Sequence, residues 1–415
     1  MRIIPILLVF ALSSACGQSP EWHGSLENLL LSQPERFETV LQDPEKYRVQ
    51  ILYTQINRDA DNKPSFETFD YNVNPATYFY PASTVKLPTV ALALEKLNRL
   101  NKAGLTPETT MLTDSVADYQ TAVIRDESSP TGMPSVAHYA RKILLVSDND
   151  AFNRLYEFVG QQEINESMHK KGYADTRIVH RLEIALNKAQ NRWTNPVRFV
   201  EGDQVIYAQE DQHSEIDYYG EQPTLLGVAE MVGGERLERP KDFSEKNAYS
   251  LPDQHSVIRN LLFPQEIAEV NRFALSEDDY RFLYQYMSMY PGESGIEIYS
   301  DEEKYPQGHV KFLMFGGDAK TIAPNIRIFS KAGDAYGFLT DAAYIVDFKN
   351  NVEFLLSATI FTNENMTFND DNYEYDEIAL PFLENLGQAI YEIELNRHRE
   401  FKPDLGRFQF RQAAD

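Results

Sequence analysis

The chain contains 415 residues and carries a formal net charge of −24 at pH 7. This length is enough to bury a sizeable core and allows one to three domains. The composition is that of an ordinary globular protein. The strong negative charge argues against nucleic acid or an anionic membrane surface as a partner.

Residues 1–15 have the pattern of a signal peptide, with Arg2 before an apolar run and three small residues before Cys16. Cys16 is the single cysteine, so the chain cannot form an intrachain disulfide. Its position resembles the lipidation site of bacterial lipoproteins, and residues 16–24 would then be a linker. Acylation would tether the chain without a spanning helix. We expect an exported protein, periplasmic or lipid-anchored. Plain cleavage and an uncleaved apolar anchor are the alternatives.

A helix and a hairpin are predicted next. Residues Ser25 to Leu41 have helical periodicity, which Pro34 should kink or split. Residues Tyr47 to Ile56 and Thr68 to Val73 read as strands on either side of a turn-rich segment. The pattern is typical of an antiparallel hairpin near the start of the fold.

The segment from Tyr78 to Leu100 predicts a core helix, because its middle is apolar on every side. Ser83 and Lys86 interrupt the apolar pattern, and a spacing of three places them on one face of the first turn. Burial would lower the pKa of the lysine, and a neutral amine can accept the proton of a serine. Pro88 should make this first turn irregular. Ser83 is therefore our candidate nucleophile.

The Ser-x-x-Lys pattern is weak when taken alone. It occurs again at Ser167 and Lys170, in a polar stretch that reads as solvated helix surface. The apolar setting of Ser83 and three further patterns downstream favour its interpretation as a nucleophile.

The middle and the end of the chain read as helices followed by strands. Helices are predicted at Ser135 to Val146 and Asp150 to Val159, and residues 188–275 contain acidic, tyrosine-rich loops. Three strands then precede an amphipathic helix and a polar tail at residues 398–415; the strands and helix are Ile326 to Ser330, Ala335 to Phe348, Val352 to Phe361 and Ile378 to Arg397.

This order predicts an α/β (α+β) fold with one antiparallel sheet built from both ends of the chain and flanked by helices. Residues 25–80 and 325–397 would form the sheet lobe. Residues 81–324 would form an inserted all-helical lobe with a long insertion at about 188–275. A cleft is expected where the two lobes meet.

Four short patterns appear in a fixed order along the chain. Ser83 and Lys86 are followed by Ser147-Asp148-Asn149, then by Glu183-Ile184-Ala185-Leu186-Asn187, and then by Lys331-Ala332-Gly333 at the end of a predicted strand. This set resembles the class A serine β-lactamases and the related penicillin-binding peptidases. Each pattern alone has an ordinary alternative: a helix N-cap for Ser147, a solvated carboxylate for Glu183 and a strand-end lysine for Lys331.

The resemblance implies a role for each residue. Lys86 would accept the Ser83 proton, directly or by relay through a water to Glu183, and Ser147 would return a proton to the leaving nitrogen. Asn149 would contact the substrate amide and Lys86. Lys331 would attract a substrate carboxylate. The N–H of Asp334, after Gly333, would complete an oxyanion hole with that of Ser83. Glu183 and Asn187 would hold the deacylating water.

Two departures from the family pattern concern the substrate. Ala332 lacks the hydroxyl that the family uses to contact a carboxylate, and Asp334 adds a negative charge beside it. A like charge a few ångströms away would cost on the order of 1 kcal/mol or more. The acylation and deacylation groups that the resemblance implies are nevertheless all present, so we expect a hydrolase that opens β-lactam rings. A cell-wall peptidase or esterase of the same fold, and a non-catalytic binding lipoprotein, remain as alternatives.

No cofactor is expected. The eight histidines lack ligand spacing and no glycine-rich phosphate loop occurs, so neither a metal site nor a nucleotide site is predicted. The expected partner is a small β-lactam or cell-wall peptide, and the protein is expected to be a monomer.

Overall fold

The computed structural model describes residues 22, 24–220 and 222–410. Cys16, the expected lipidation site, lies outside this range. The helices are α1 (Leu26–Leu31), α2 (Pro34–Leu41), α3 (Lys86–Leu100), α4 (Val136–Val146), α5 (Asn149–Val159), α6 (Gln161–Lys170), α7 (Lys188–Asn191), α8 (Leu251–Leu262), α9 (Glu277–Ser288) and α10 (Leu380–Asn396). The strands are β1 (Gln50–Arg58), β2 (Pro64–Tyr71), β3 (Thr110–Thr113), β4 (Val197–Glu201), β5 (Gln204–Gln209), β6 (Leu225–Leu226), β7 (Ala229–Val232), β8 (Glu235–Leu237), β9 (Lys241–Asp242), β10 (Ile326–Ala335), β11 (Phe338–Asp347), β12 (Val352–Phe361) and β13 (Thr367–Phe368).

The central sheet has five strands in the order β10-β11-β12-β1-β2. Every neighbouring pair is antiparallel. The predicted N-terminal hairpin and the three C-terminal strands therefore form one sheet, as the fold prediction required. Every residue of β11 and β12 is buried, because helices cover both faces of these strands.

The two faces of the sheet belong to different hydrophobic cores. Ala343 and Ile345 pack with α1, α2 and α10, whereas Tyr344 and Val346 pack with the helices of the other lobe. Successive side chains on a strand point to opposite faces, so one apolar strand contributes to both cores. The split of the first helix at Pro34 is confirmed, since α2 begins at that residue.

We predict an all-helical lobe between the two halves of the sheet, and this prediction is wrong. β3, β4 and β5 form a three-stranded sheet within it. Further along, β6 pairs with β9, and β7 pairs with β8 and β13. These strands have two to six residues. Alternation over such short runs is too brief to stand out from loop sequence.

Part of the predicted insertion belongs to the core. Within residues 188–275, α8 packs on the sheet through His255, whose ring nitrogens lie 2.8 Å from Thr54 Oγ1 and 2.8 Å from Ser357 Oγ. We also predict that the segment 398–415 is a polar tail, but part of it packs on the core. Leu405 and Phe408 are buried, and the Phe408 ring lies 5.0 Å from that of Tyr344. Leu405 and Phe408 pack against the core although the segment as a whole is polar.

None of the described helices has the length and apolar character needed to cross a membrane.

Candidate active site

Ser83 lies in a 3₁₀ turn, Ala82–Val85, that leads directly into α3. The irregular start that Pro88 predicted is therefore confirmed. Ala82 has a φ of 46°, in the left-handed region, and Thr84 Oγ1 donates to Pro81 O at 2.7 Å. The turn is thus stabilised by a side-chain hydrogen bond in addition to its backbone hydrogen bonds. The Ser83 side chain is partly exposed at the edge of the buried helix.

Lys86 is completely buried one turn from Ser83 and makes three hydrogen bonds. In its protonated form Nζ donates to the backbone oxygen of Ser147, to Ser147 Oγ at 3.2 Å and to Asn149 Oδ1 at 2.6 Å. Burial lowers the pKa of Lys86 to about 7, against the opposing charges of Asp148, Glu183 and Asp334. The amine is therefore neutral in a large fraction of molecules near neutral pH.

Ser147 closes α4 as its C-cap, with φ 60° and ψ 34°. The alternative that Ser147 is a helix N-cap is wrong, because Asp148 caps α5 by accepting from Ala151 N at 2.7 Å. Helices α4 and α5 meet at Ser147, and the left-handed backbone conformation of this residue directs its hydroxyl into the site. A non-glycine residue in this conformation costs on the order of 1 to 3 kcal/mol.

Lys331 approaches the same hydroxyl from β10. Its Nζ donates to Ser147 Oγ at 2.8 Å and to Ala332 O at 2.8 Å. Burial, and then the charge of Lys86, hold the pKa of Lys331 well below its usual range. The Ser147 hydroxyl thus bridges two buried amines, one beside Ser83 and one on the sheet.

Gly333 brings β10 against the turn that carries Ser83. A Cβ atom at this position would lie 2.5 Å from Ser83 N and 3.1 Å from Pro81 O. Only glycine permits so close an approach of two backbones. The contact places residue Asp334, next along β10, beside the backbone of the candidate nucleophile.

Asp334 is exposed near the end of β10. Desolvation there raises the pKa of its carboxyl, against the attraction of Lys331 and Lys86. Glu183 also interacts electrostatically with Asp334 and with Lys86. The structure therefore brings the charges of all four predicted motifs into one site.

Glu183 is exposed and has a φ of 55°. The residues before it are held firmly. Asn153 Nδ2 donates to Leu182 O at 2.9 Å, and Leu182 N donates to Asn153 Oδ1 at 2.8 Å. The Arg181 guanidinium contacts the buried Glu157 carboxylate at 2.9 Å. A fixed loop thus presents Glu183 to solvent at the edge of the site.

Asn187 caps the short helix that follows the Glu183 loop. Its Oδ1 accepts from Gln190 N at 2.9 Å, and it forms a capping box that starts α7. An asparagine at this position is compatible with both roles, because its side-chain oxygen can accept from a water or from the N–H of the third helical residue. In this structure the Asn187 side chain is the N-cap of α7.

A cleft of about 610 Å³ opens beside Glu183. It separates the loop at residues 180–188 from the segment at 242–246, and Tyr80 and Tyr336 line it next to the site. Their rings meet edge to face with centroids 5.0 Å apart. The cleft gives a substrate room on the Glu183 side of Ser83.

Sequence reasoning missed a buried charged pair beneath Lys331. Asp341 Oδ2 accepts from Phe312 N at 3.1 Å and Leu313 N at 3.2 Å, and burial raises its pKa to about 6. Lys311 Nζ donates to Met287 O at 2.7 Å, and burial lowers its pKa to about 8. A lone aspartate in the apolar run of β11 was the available signal, since a buried charge needs partners.

No metal site accompanies this cluster. Among the residues that the structure describes, no group of three His, Cys, Asp or Glu side chains is arranged to hold a metal ion.

Comparison with solved structures defines the fold. The chain matches the TLA-1 extended-spectrum β-lactamase with a TM-score of 0.50 at 14% identity, over 89% of this chain and 99% of that one. PBP-A gives a TM-score of 0.48 at 16% identity, over 89% of this chain and 97% of that one. A β-lactamase from Sphaerobacter thermophilus gives 0.47 at 13% identity, over 87% and 95%. The fold is therefore β-lactamase/transpeptidase-like.

Sequence comparison points to the same class. Residues 35–216 match the model of the beta-lactamase enzyme family. This range includes Ser83, Lys86, Ser147, Asn149 and Glu183 and ends before the strand that carries Lys331. No curated protein sequence matches the chain.

Proposed function

We propose that this protein is a serine hydrolase of the class A type that opens β-lactam rings through an acyl-enzyme on Ser83. One observation carries the proposal. The Ser147 hydroxyl lies 3.2 Å from Lys86 Nζ and 2.8 Å from Lys331 Nζ, which gives a proton path from beside the nucleophile to the leaving group. If Ser147 were only a helix cap and Lys331 only a strand-end lysine, two buried amines would have no need to contact the same hydroxyl.

In the proposed acylation, the neutral amine of Lys86 accepts the Ser83 proton as Oγ attacks the ring carbonyl. The carbonyl oxygen becomes an oxyanion facing the backbone N–H groups of Ser83 and Asp334. As the C–N bond breaks, Ser147 donates its proton to the nitrogen and is reprotonated from Lys86. Glu183 then accepts a proton from a water that attacks the ester. As the bond between the acyl carbon and Ser83 Oγ breaks, this proton passes to Oγ, and the acyl group is released as an acid.

The rate of acylation is expected to rise with pH around neutrality. The neutral form of Lys86 is the base and its pKa is about 7, so protonation removes the base as the pH falls. At pH 6 about one molecule in ten would hold the neutral amine, and acylation should be about tenfold slower than at its plateau above pH 8. Single-turnover acylation by a chromogenic cephalosporin, followed from pH 5.5 to 9, measures this.

Thermal unfolding over the same pH range serves as the control that the fold is intact. An acylation rate that stays constant between pH 5.5 and 8 would contradict the role of Lys86 as the base.

The function itself is tested by incubating purified protein with nitrocefin. Multiple turnovers by folded protein support the proposal, and no ring opening at all by folded protein defeats it.

A cell-wall peptidase or esterase is the second candidate, and the position of Asn187 favours it. With its Oδ1 engaged by Gln190 N, Asn187 has one acceptor site fewer for a deacylating water beside Glu183. Slow deacylation would leave the enzyme trapped on penicillin. A fluorescent penicillin that stays bound to Ser83 for hours, with little nitrocefin hydrolysis, would select this candidate over a β-lactamase.

A further inference from the structure

Lys142 on α4 forms a charged bridge next to the turn that carries Ser147, and the proposed mechanism does not use it. Its Nζ lies 3.1 Å from Asp126 Oδ2 and 3.6 Å from Asp148 Oδ2. The Lys142 and Asp126 side chains are only 12% and 11% exposed. Because these charges are largely shielded from water, their interaction is stronger than that of a surface ion pair.

The Asp148 carboxylate has a separate partner for each oxygen. Its Oδ1 accepts from Ala151 N at 2.7 Å and thereby caps α5, whereas Oδ2 faces Lys142. The backbone repeats the connection, since Asp148 N donates to Lys142 O at 3.4 Å. Lys142 therefore holds the residue after Ser147 through both its side chain and its backbone.

The position of Ser147 depends on this turn. Ser147 has a left-handed backbone conformation, and both its hydroxyl and its backbone oxygen contact Lys86 Nζ. A non-glycine residue in this conformation persists only when its surroundings hold it. Lys142 supplies part of that support, because it fixes the next residue along the chain.

Asp126 anchors the other end of the bridge. Its Oδ1 accepts from Ser128 Oγ at 2.5 Å and from Ser128 N at 3.0 Å. His138 Nε2, on α4, lies 2.9 Å from Ser128 Oγ and 3.6 Å from Asp126 Oδ2. Burial opposes ionisation of Asp126, but the contacts with His138, Ser128 and Lys142 hold its pKa well below the ordinary value. The anchor is therefore ionised at neutral pH.

Asp148 also acts on the charge of Lys86. Burial lowers the pKa of Lys86, and Asp148 is the foremost of the carboxylates that oppose this effect. An anion beside an amine favours the protonated form, which is not a base. The cation of Lys142 offsets part of the Asp148 charge and so favours the neutral amine. The other charged groups that face Lys86 come from the loop before α7 and from β10: Glu183, Asp334 and Lys331.

The tyrosines and the histidine around this bridge do not replace Lys142. Tyr139 and Tyr299 are neutral, because burial raises their pKa values. His309 is neutral as well, because burial lowers its pKa to about 4. Within the described part of the chain, Lys142 is the one cation that forms an ion pair with Asp148.

We propose that Lys142 is a positioning residue for acylation, which fixes the Ser147 turn and keeps the amine of Lys86 in its basic form by offsetting the neighbouring carboxylate. This inference rests on the proposed acyl transfer to Ser83, in which that amine is the base. It predicts an effect of charge that a neutral side chain of similar size cannot supply.

Lys142→Met keeps most of the side-chain volume and removes the charge. We expect the midpoint of its acylation profile to rise by about one pH unit, because an unbalanced Asp148 stabilises the protonated form of Lys86. Acylation would then be about fivefold slower than in the wild type at pH 7 and equal within about twofold at pH 9.5. Single-turnover acylation by nitrocefin from pH 5.5 to 9.5 measures the profile, and thermal unfolding reports on the fold.

Three further variants separate charge from packing. Lys142→Arg keeps the charge and should retain the wild-type midpoint. Lys142→Met combined with Asp148→Asn removes both charges of the pair, and asparagine can still cap α5, so the midpoint should return toward that of the wild type. Lys102→Met removes an exposed cation after the far end of α3, roughly 20 Å from Lys86 and beyond the Debye length, and should keep the wild-type profile.

A lower plateau with an unchanged midpoint in Lys142→Met would make the role of Lys142 structural and overturn the inference. A midpoint that stays raised in the double variant, or an equal shift in Lys102→Met, would also overturn it. If Lys142→Met does not fold, Lys142→Gln takes its place, because glutamine can still hydrogen-bond to Asp126. These outcomes leave the hydrolase function standing. Failure of the folded wild type to acylate at any pH overturns both the inference and the proposed function.

Discussion

Replacing Ser83 with alanine is expected to abolish formation of the acyl-enzyme and to lower nitrocefin turnover at least about ten-thousandfold. The Ser83 hydroxyl is the only proposed nucleophile, and the amines of Lys86 and Lys331 cannot form an ester in its place. The fold should remain, because Ser83 is partly exposed and its side chain forms no described hydrogen bond. Intact-protein mass after incubation with a penicillin, together with steady-state turnover, measures both effects.

The chain supplies a matched control in its second Ser-x-x-Lys pattern. Ser167→Ala changes the same residue type on α6, and Lys170 at the other end of that pattern is exposed. This variant should acylate and turn over like the wild type. A penicillin adduct that persists in Ser83→Ala, or one that disappears in Ser167→Ala, would show that the nucleophile lies elsewhere.

Gly333→Ala is expected to reduce acylation about a hundredfold, although it adds a single methyl group far along the chain from Ser83. The new Cβ would lie 2.5 Å from Ser83 N and 3.1 Å from Ser83 Cα, so backbone must move. Displacing a reacting group or an oxyanion donor by about 1 Å costs about a hundredfold in rate. Overpacking should also destabilise the fold by roughly 1 to 3 kcal/mol. Pre-steady-state acylation and thermal unfolding measure the two losses.

Gly292→Ala is the corresponding control, because a Cβ added there has no heavy atom within 4 Å. It should leave both acylation and unfolding close to the wild type. Wild-type acylation by Gly333→Ala would mean that the N–H of Ser83 does not stabilise the transition state, and would remove the proposed oxyanion hole.

Local sequence patterns predicted the elements that carry the site. The all-round apolar run after Ser83 required a buried helix, and α3 is buried along most of its length. Pro34 and Pro88 marked a helix break and an irregular turn because proline lacks an N–H donor. The two ends of the chain carried strand signals, and their union in one antiparallel sheet followed from the need to cover apolar faces.

The errors share a different cause. The pairing of β3 with β4, the pairing of β7 with β13 and the docking of Phe408 on Tyr344 depend on contacts between segments distant in sequence. Ser147 illustrates the point: its residue type suited an N-cap, yet the chain turns so that Asp148 takes the cap and the serine hydroxyl is left for Lys86 and Lys331. Side-chain hydrogen bonds of comparable energy compete at such a junction, and tertiary packing decides among them.

The sequence by itself determined which residue types could perform acyl transfer, in what order they occur, and that a charged amine would be buried next to a serine. It also determined the negative charge of Asp334 and the missing hydroxyl at Ala332. Only the tertiary structure decided the distances that let Ser147 bridge two lysines and the close approach of β10 to Ser83 at Gly333. The physical reason is that composition and periodicity fix local conformation and burial, whereas hydrogen bonds and Coulomb energies depend on separations of a few ångströms that only packing sets.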